Sequence, residues 1–218
     1  MAVKLLVATA EHGVHAETIT EMMALAAQQR GTGIAKRSPV YVREKMEQGK
    51  AVIALDGNEP VGFCYIETWG HGKYVANSGL IVHPDYRKLG LAKQIKTRIF
   101  QLSREKYPES KIFGITTSLA VMKINSDLGY EPVTFSELTT DEAFWKGCQS
   151  CRNFDILTRT ERSHCLCTGM MYDPAEAALQ AKATPQLKEK RWERFKRYMS
   201  KAGLRRPKRL LAQMISLL

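Results

Sequence analysis

At 218 residues, with 44% hydrophobic and 25% charged side chains, the chain has the makeup of one packed domain with extensions, which excludes a disordered polymer. Its formal charge of +11 is uneven: residues 173–218 hold 12 Lys and Arg against 4 Asp and Glu, so charge points to nucleic acid for the tail alone. No run approaches the roughly 20 apolar residues of a membrane span, and residues 1–10 lack the basic start and cleavage site of a secretory signal, so a cytoplasmic protein is expected.

Residues 3–7 predict a first strand. Ile19, Met22, Met23 and Ala26 recur at helical spacing over 17–29, and Gly31-Thr32-Gly33 ends that helix. A second short helix spans 39–48 with Pro39 in its first turn. Lys36 and Arg37 lie in the loop between the two. Residues 50–55 and 60–69 are β-rich runs joined by Asp56-Gly57-Asn58-Glu59, where Gly and Asn tolerate the positive φ of a tight hairpin. Residues 74–82 read as a further strand. The helix over 89–107 carries Ala92, Ile95, Ile99 and Leu102 on one face. A strand over 111–117, a helix over 119–128 ended by Gly129, and a short strand over 132–135 follow. Residues 136–162 show no period, and 164–172 read as a last strand. Thr184-Pro185 begins a basic helix with Trp192, Phe195, Met199 and Ala202 at helical spacing, and an apolar helix follows Pro207. The order predicts an α/β domain with a mixed sheet over 1–173, an insert near 136–163, and a basic helical extension over 174–218.

The segment from Leu80 to Ala92 carries the most chemistry. An apolar strand ending at Leu80 and Val82 runs into a turn, His83-Pro84-Asp85-Tyr86-Arg87-Lys88-Leu89-Gly90, and the long helix opens with Leu91 and Ala92. The first amides of a helix lack intrahelical partners and carry a partial positive charge, so a pyrophosphate there accepts several N–H bonds at once. Gly90 and Ala92 leave room for phosphates to approach the backbone, while Arg87, Lys88 and Lys93 add positive charge.

Strand, Arg-x-x-Gly-x-Ala and helix, with the Val-His-Pro lead-in and the later Leu128-Gly129-Tyr130-Glu131-Pro132, resemble the CoA-binding core of the GNAT acyltransferase superfamily. The resemblance covers roughly residues 3–173. It implies a mixed, mostly antiparallel sheet flanked by helices, acyl-CoA as co-substrate, and a strand that splays from its neighbour to admit the pantetheine. Leu80 and Val82 would then offer backbone groups to the thioester carbonyl and a pantetheine amide, with the phosphates on Arg87, Lys88, Leu89, Gly90, Leu91 and Ala92.

Acyl transfer to an amine needs a base for the amine and, usefully, an acid for the thiolate. At the position where many relatives place a Glu stands Ala76, beside Asn77, and at the usual Tyr position stands Asn125. The candidates that remain are Glu67 as base, with Ser118 and Asn125 nearby; His71 reads as a loop residue and His83 as structural. Glu67 has the alternative of a solvated carboxylate at a strand end. Lys36 and Arg37 suit a carboxylate on the acceptor, since Arg pairs bidentately with one, or are solvent-facing charge. With the cysteine-bearing insert, the chain is similar to GNAT proteins of arginine biosynthesis, which acylate glutamate.

Five cysteines, Cys64, Cys148, Cys151, Cys165 and Cys167, suit a reducing compartment. Cys148-x-x-Cys151 and Cys165-x-Cys167 could complete a tetrahedral structural zinc, with His164 as a substitute, or pack as small apolar thiols. The tail can dock on the domain or a second subunit, bind RNA, or lie on a membrane surface. The functions consistent with these features are an N-acyltransferase moving an acetyl or succinyl group to a small amine, a non-catalytic acyl-CoA-binding regulatory module, and an acyltransferase on a protein or ribosomal target.

Overall fold

The computed structural model describes residues 3–30, 36–151 and 153–182. Its elements are β1 (Lys4–Val7), α1 (Ala16–Arg30), α2 (Pro39–Glu47), β2 (Ala51–Asp56), β3 (Glu59–Trp69), β4 (Tyr74–Val82), α3 (Leu91–Lys106), β5 (Lys111–Thr116), α4 (Leu119–Asp127), β6 (Glu131–Val133), α5 (Glu142–Lys146), α6 (Phe154–Arg159), β7 (Thr168–Tyr172) and α7 (Pro174–Lys182). The chain divides into compact units at residues 1–175 and 176–218, and all seven strands belong to the first. The glycines 31–33 and the helices expected beyond Thr184 lie outside the described residues, and with them the expected dimer, RNA and membrane roles of the tail.

One sheet takes the strands in the order β1-β2-β3-β4-β5-β7-β6, and every neighbouring pair is antiparallel except β4 with β5. The β2–β3 hairpin closes where Asp56 faces Glu59, with Gly57 at φ +61°. Alternation along β3 then sorts the core. Phe63 and Tyr65 face Ile19, Met22 and Met23 of α1 and Val42 and Met46 of α2. Cys64 and Ile66 turn the other way, toward Leu91, Ile95, Ile99 and Leu102 of α3. Gly62 is what lets α3 sit close, because a Cβ there would come within 2.4 Å of Ile95 Cδ1.

The segment between β6 and β7 differs from the expectation. It holds α5 and α6, each too short to reveal a helical period, and it buries Trp145 and Leu157 against Ala76 and Phe113. Phe135, expected at a strand end, instead enters a 3-10 turn whose N-cap Thr134 forms a capping box with Glu137. The last strand begins at Thr168 and not at residue 164. The Thr160 hydroxyl both accepts from the His164 N–H (3.2 Å) and donates to the His164 carbonyl (2.7 Å), holding that stretch in a turn. Cys165 and Cys167 therefore precede β7, and strand alternation does not align them.

Ile99 is fully buried on the α3 stripe. Ile99→Ala is expected to destabilise the protein by about 2–5 kcal/mol, read as a lower urea midpoint at unchanged slope.

Candidate active site

The site begins with a break in the sheet. β4 and β5 pair only at Tyr74, Val75 and Ala76, against Lys111, Ile112 and Phe113. Beyond Ala76 they part, and Gly114, Ile115 and Thr116 of β5 stay with β7. The second half of β4, residues 77–82, thus presents an edge toward a gap, and such an edge accepts an extended, amide-bearing ligand as an added strand. On its other side β4 carries a bulge. Phe63 faces Ile81 while Tyr65 faces Ser78, so β4 has one residue too many at Gly79 and Leu80. Gly79 is at φ +66°, and a Cβ there would lie 2.3 Å from the Tyr65 ring. Both the conformation and the space demand glycine.

From Val82 the chain passes through a 3-10 turn, Pro84–Tyr86, where His83 is the N-cap and its Nδ1 accepts from the Asp85 N–H (3.4 Å). His83 is structural, as its position suggested. Lys88 (φ 65°) and Gly90 (φ 79°) are both left-handed, and this pair of reversals aims the chain into α3. A Cβ on Gly90 would meet nothing within 4 Å, so its backbone faces open space above the helix start. Arg87 is anchored by an Nε donation to Val82 O (3.3 Å). Lys93 forms a 2.8 Å salt bridge with Asp127, so its charge is partly spent within the fold. The segment 87–92 is thus a helix N-terminus of a 16-residue helix with exposed cations and an uncovered glycine, which is what a pyrophosphate requires.

The gap continues into a cleft of about 530 Å³ between α2, the sheet and the insert. Lys36 and Arg37 line one end. Arg37 is fixed there: its Nε donates to the Tyr65 hydroxyl (2.7 Å), and its guanidinium lies 5.2 Å from the Tyr41 ring centre. At the other end Trp69, Phe113, Phe144 and Phe154 give apolar walls, and the buried Trp69 Nε1 has no partner among the described residues.

Glu67 is buried on β3, opposite Ala76 and on the same face as Tyr65. It does not itself line the cleft. Lys45 Nζ donates to its Oε2 at 3.0 Å, while buried Oε1 has no partner among the described residues. Burial pushes the carboxyl up to about 7, and the Arg37 guanidinium pulls the other way. Burial also lowers Lys45. Asn125 lines the cleft almost wholly buried, with Nδ2 donating to Met170 Sδ (3.7 Å) and Oδ1 unpartnered among the described residues. Ser118 is occupied otherwise: it is the N-cap of α4, accepting from the Val121 N–H at 3.4 Å. His71 is exposed in the β3–β4 turn at φ 55°, and it does not line the cleft.

All four clustered cysteines line the insert end of the cleft. The expectation of a zinc does not fit them. Among the described residues no three His, Cys, Asp or Glu side chains gather closely enough to hold a metal ion. Cys165 and Cys167 lack a strand to converge on, and Cys148, Cys165 and Cys167 instead pack against Phe135, Trp145 and Leu157. Burial first, then neighbouring sulfurs, raise Cys148 to about 11 and Cys167 to about 12, so both are neutral thiols.

Sequence reasoning passed over Lys96, which is buried in α3 yet lines the same cleft. Its signal was available: it stands four residues after Ala92 and four before Phe100, at the edge of the apolar stripe.

The model of the acetyltransferase (GNAT) family matches residues 19–120. The thialysine N-epsilon-acetyltransferase of Caenorhabditis elegans is 29% identical over 119 residues, 50% of this chain and 72% of that protein. The N-acetylglutamate synthase of Neisseria gonorrhoeae, complexed with coenzyme A and N-acetyl-glutamate, superposes with a TM-score of 0.56 at 14% identity, over 79% of this chain. This chain spans about a third (35%) of that synthase. The Salmonella typhimurium protein yncA with its cofactor acetyl-CoA gives a TM-score of 0.56 at 13% identity, covering 80% of this chain and 95% of that one. At such identities the two structures share its fold.

Gly90→Glu puts a carboxylate and a strained φ where phosphates would sit. It is expected to weaken CoA binding at least about 100-fold by calorimetry while leaving the thermal midpoint within a few degrees of wild type. Unchanged affinity would remove residues 87–92 from the site.

Proposed function

We propose that the chain is a GNAT-type acetyltransferase, as the family match over residues 19–120 supports, and that it transfers an acetyl group from acetyl-CoA to the amine of a small, carboxylate-bearing molecule such as an amino acid. One observation carries the reading. The gap between β4 and β5 opens at the end of β4 that leads into the 87–92 turn. A single extended ligand can therefore run along β4 and end with its phosphates on Leu89, Gly90, Leu91 and Ala92, beside Arg87 and Lys88. Bound acetyl-CoA supplies the activated acyl group, and transfer proceeds directly in a ternary complex.

The chain's own residues do the rest. Backbone groups of Leu80 and Val82 on the open edge hydrogen-bond the ligand's carbonyl and amide. One such donor aimed at a developing oxyanion contributes on the order of 3 kcal/mol. Glu67 takes the amine's proton, through water at its open Oε1, since the carboxyl stands back from the cleft. Asn125 holds no proton to give at neutral pH and orients groups in the cleft; Ser118 serves α4. Arg37, held by Tyr65 and Tyr41 with Lys36 beside it, pairs with the acceptor's carboxylate. The names of two relatives support an amino-acid acceptor, thialysine in one and glutamate in the other. A single acetyl donor is favoured over succinyl by the acetyl-CoA bound in yncA.

Mass spectrometry after incubation with acetyl-CoA and a pool of amino acids and polyamines is expected to find one N-acetylated amino acid. No product, despite tight CoA binding in the same samples, would turn the reading to a regulatory CoA-binding module. The pH dependence follows from Glu67. Because the base acts as a carboxylate raised to about 7, kcat/KM rises with pH through about that value. The same shift makes folding favour the protonated form, so its contribution to stability is present at low pH and fades as pH rises through about 7. Glu67→Gln is expected to lower kcat about 100-fold or more and to erase that ascending limb.

A further inference from the structure

Lys96 lies in the second turn of α3 and is 2% exposed. Taking an ammonium out of water costs several kcal/mol unless partners offset it, and lysines on helices ordinarily extend to the surface. This one does neither. Among the described residues it forms no salt bridge. Its Nζ reaches Asn77 Oδ1 at 3.5 Å, the outer limit of a hydrogen bond, and stands 5.3 Å from the Tyr130 ring centre. Asn77 is itself held rigidly: its Nδ2 donates to Ser103 Oγ (2.8 Å), and its Oδ1 accepts from the Tyr130 hydroxyl (3.0 Å). The network steadies the ammonium without neutralising it.

Its position gives that charge a use. Lys96 reaches the cleft where β4 and β5 have parted, sharing its lining with Asn77 and Ser78 of β4, Gly114 of β5 and Asn125 of α4. The titratable groups facing it are Cys64 from β3 and Tyr130 from the turn before β6, and burial raises both, so each stays neutral near pH 8. Burial pulls Lys96 itself down to about 8. That value is close to an ordinary thiol at about 8.5, so a proton can pass between the two groups with little change in free energy.

Resting on the acetyl-transfer reading above, we propose that Lys96 is the proton donor to the thiolate that leaves during transfer. The acceptor nitrogen bonds to the thioester carbon, the carbon–sulfur bond breaks, and sulfur keeps the electron pair. Sulfur then takes a proton from the Lys96 ammonium, leaving a neutral amine. The proton the acceptor gave up, carried by Glu67 and water, restores the ammonium, so the products are an amide and a thiol.

The test follows the thiol of bound CoA by the ultraviolet absorbance of its thiolate. In the wild-type protein it is expected to ionise about one pH unit or more below free CoA, because an adjacent cation favours a thiolate. Lys96→Met should return it to the free value and lower kcat about 100-fold, with the KM for acetyl-CoA little changed. Should that variant fail to fold, the wild-type titration decides alone. A bound thiol ionising at or above the free value overturns the proposal and leaves the transferase reading intact. Failure of the wild-type protein to bind CoA overturns both.

Discussion

β4 and β5 hold together for three residue pairs and then separate, and the rest of the molecule is arranged around that separation. Two constraints enforce it. On one side the Gly79 bulge adds a residue to β4 against β3, which sharpens the strand's twist and turns its second half away. On the other, β5 is held on its course by β7, from Ile112 against Tyr172 to Thr116 against Thr168, and does not follow β4 as it turns. The result is an open edge in the interior of a sheet, where backbone amides would ordinarily be paired. Close packing of Gly79 against Tyr65 makes the bulge part of the core, so the gap is built in and does not need a ligand to open it.

Around the gap, burial tunes two side chains toward neutrality from opposite directions. Glu67, on the α2 side of the sheet, is raised to about 7, and Lys96, on the α3 side, is lowered to about 8. Each keeps an incompletely satisfied polar group: Oε1 of Glu67 without a partner among the described residues, and an ammonium with one long contact. The proposed base and the proposed acid thereby sit on the two faces of one sheet. Arg37, by contrast, keeps its charge and is locked by two tyrosines, which suits binding and not proton transfer.

The sequence spoke clearly where local rules decide. β4 runs over the expected 74–82, the hairpin turns at Gly57, and α3 opens after Gly90, because each depends on periodicity or on a turn that needs positive φ. It was silent where distant contacts decide. α5 and α6 have too few turns to show a period, and β7 starts late because the Thr160 hydroxyl ties up His164. Cys165 and Cys167 looked like paired ligands only while they were placed on a strand. Ser118 looked catalytic by position, yet its oxygen is used as a helix cap. Lys96 was passed over because lysine in an amphipathic helix reads as surface, and only the fold reveals that no surface is there.

Backbone hydrogen exchange with and without saturating CoA tests the central claim most directly. If the ligand lies along the open edge of β4 with its phosphates on the start of α3, exchange slows at residues 79–82 and 88–92. If CoA binds while those amides exchange unchanged and protection appears elsewhere, the gap between β4 and β5 is not its site.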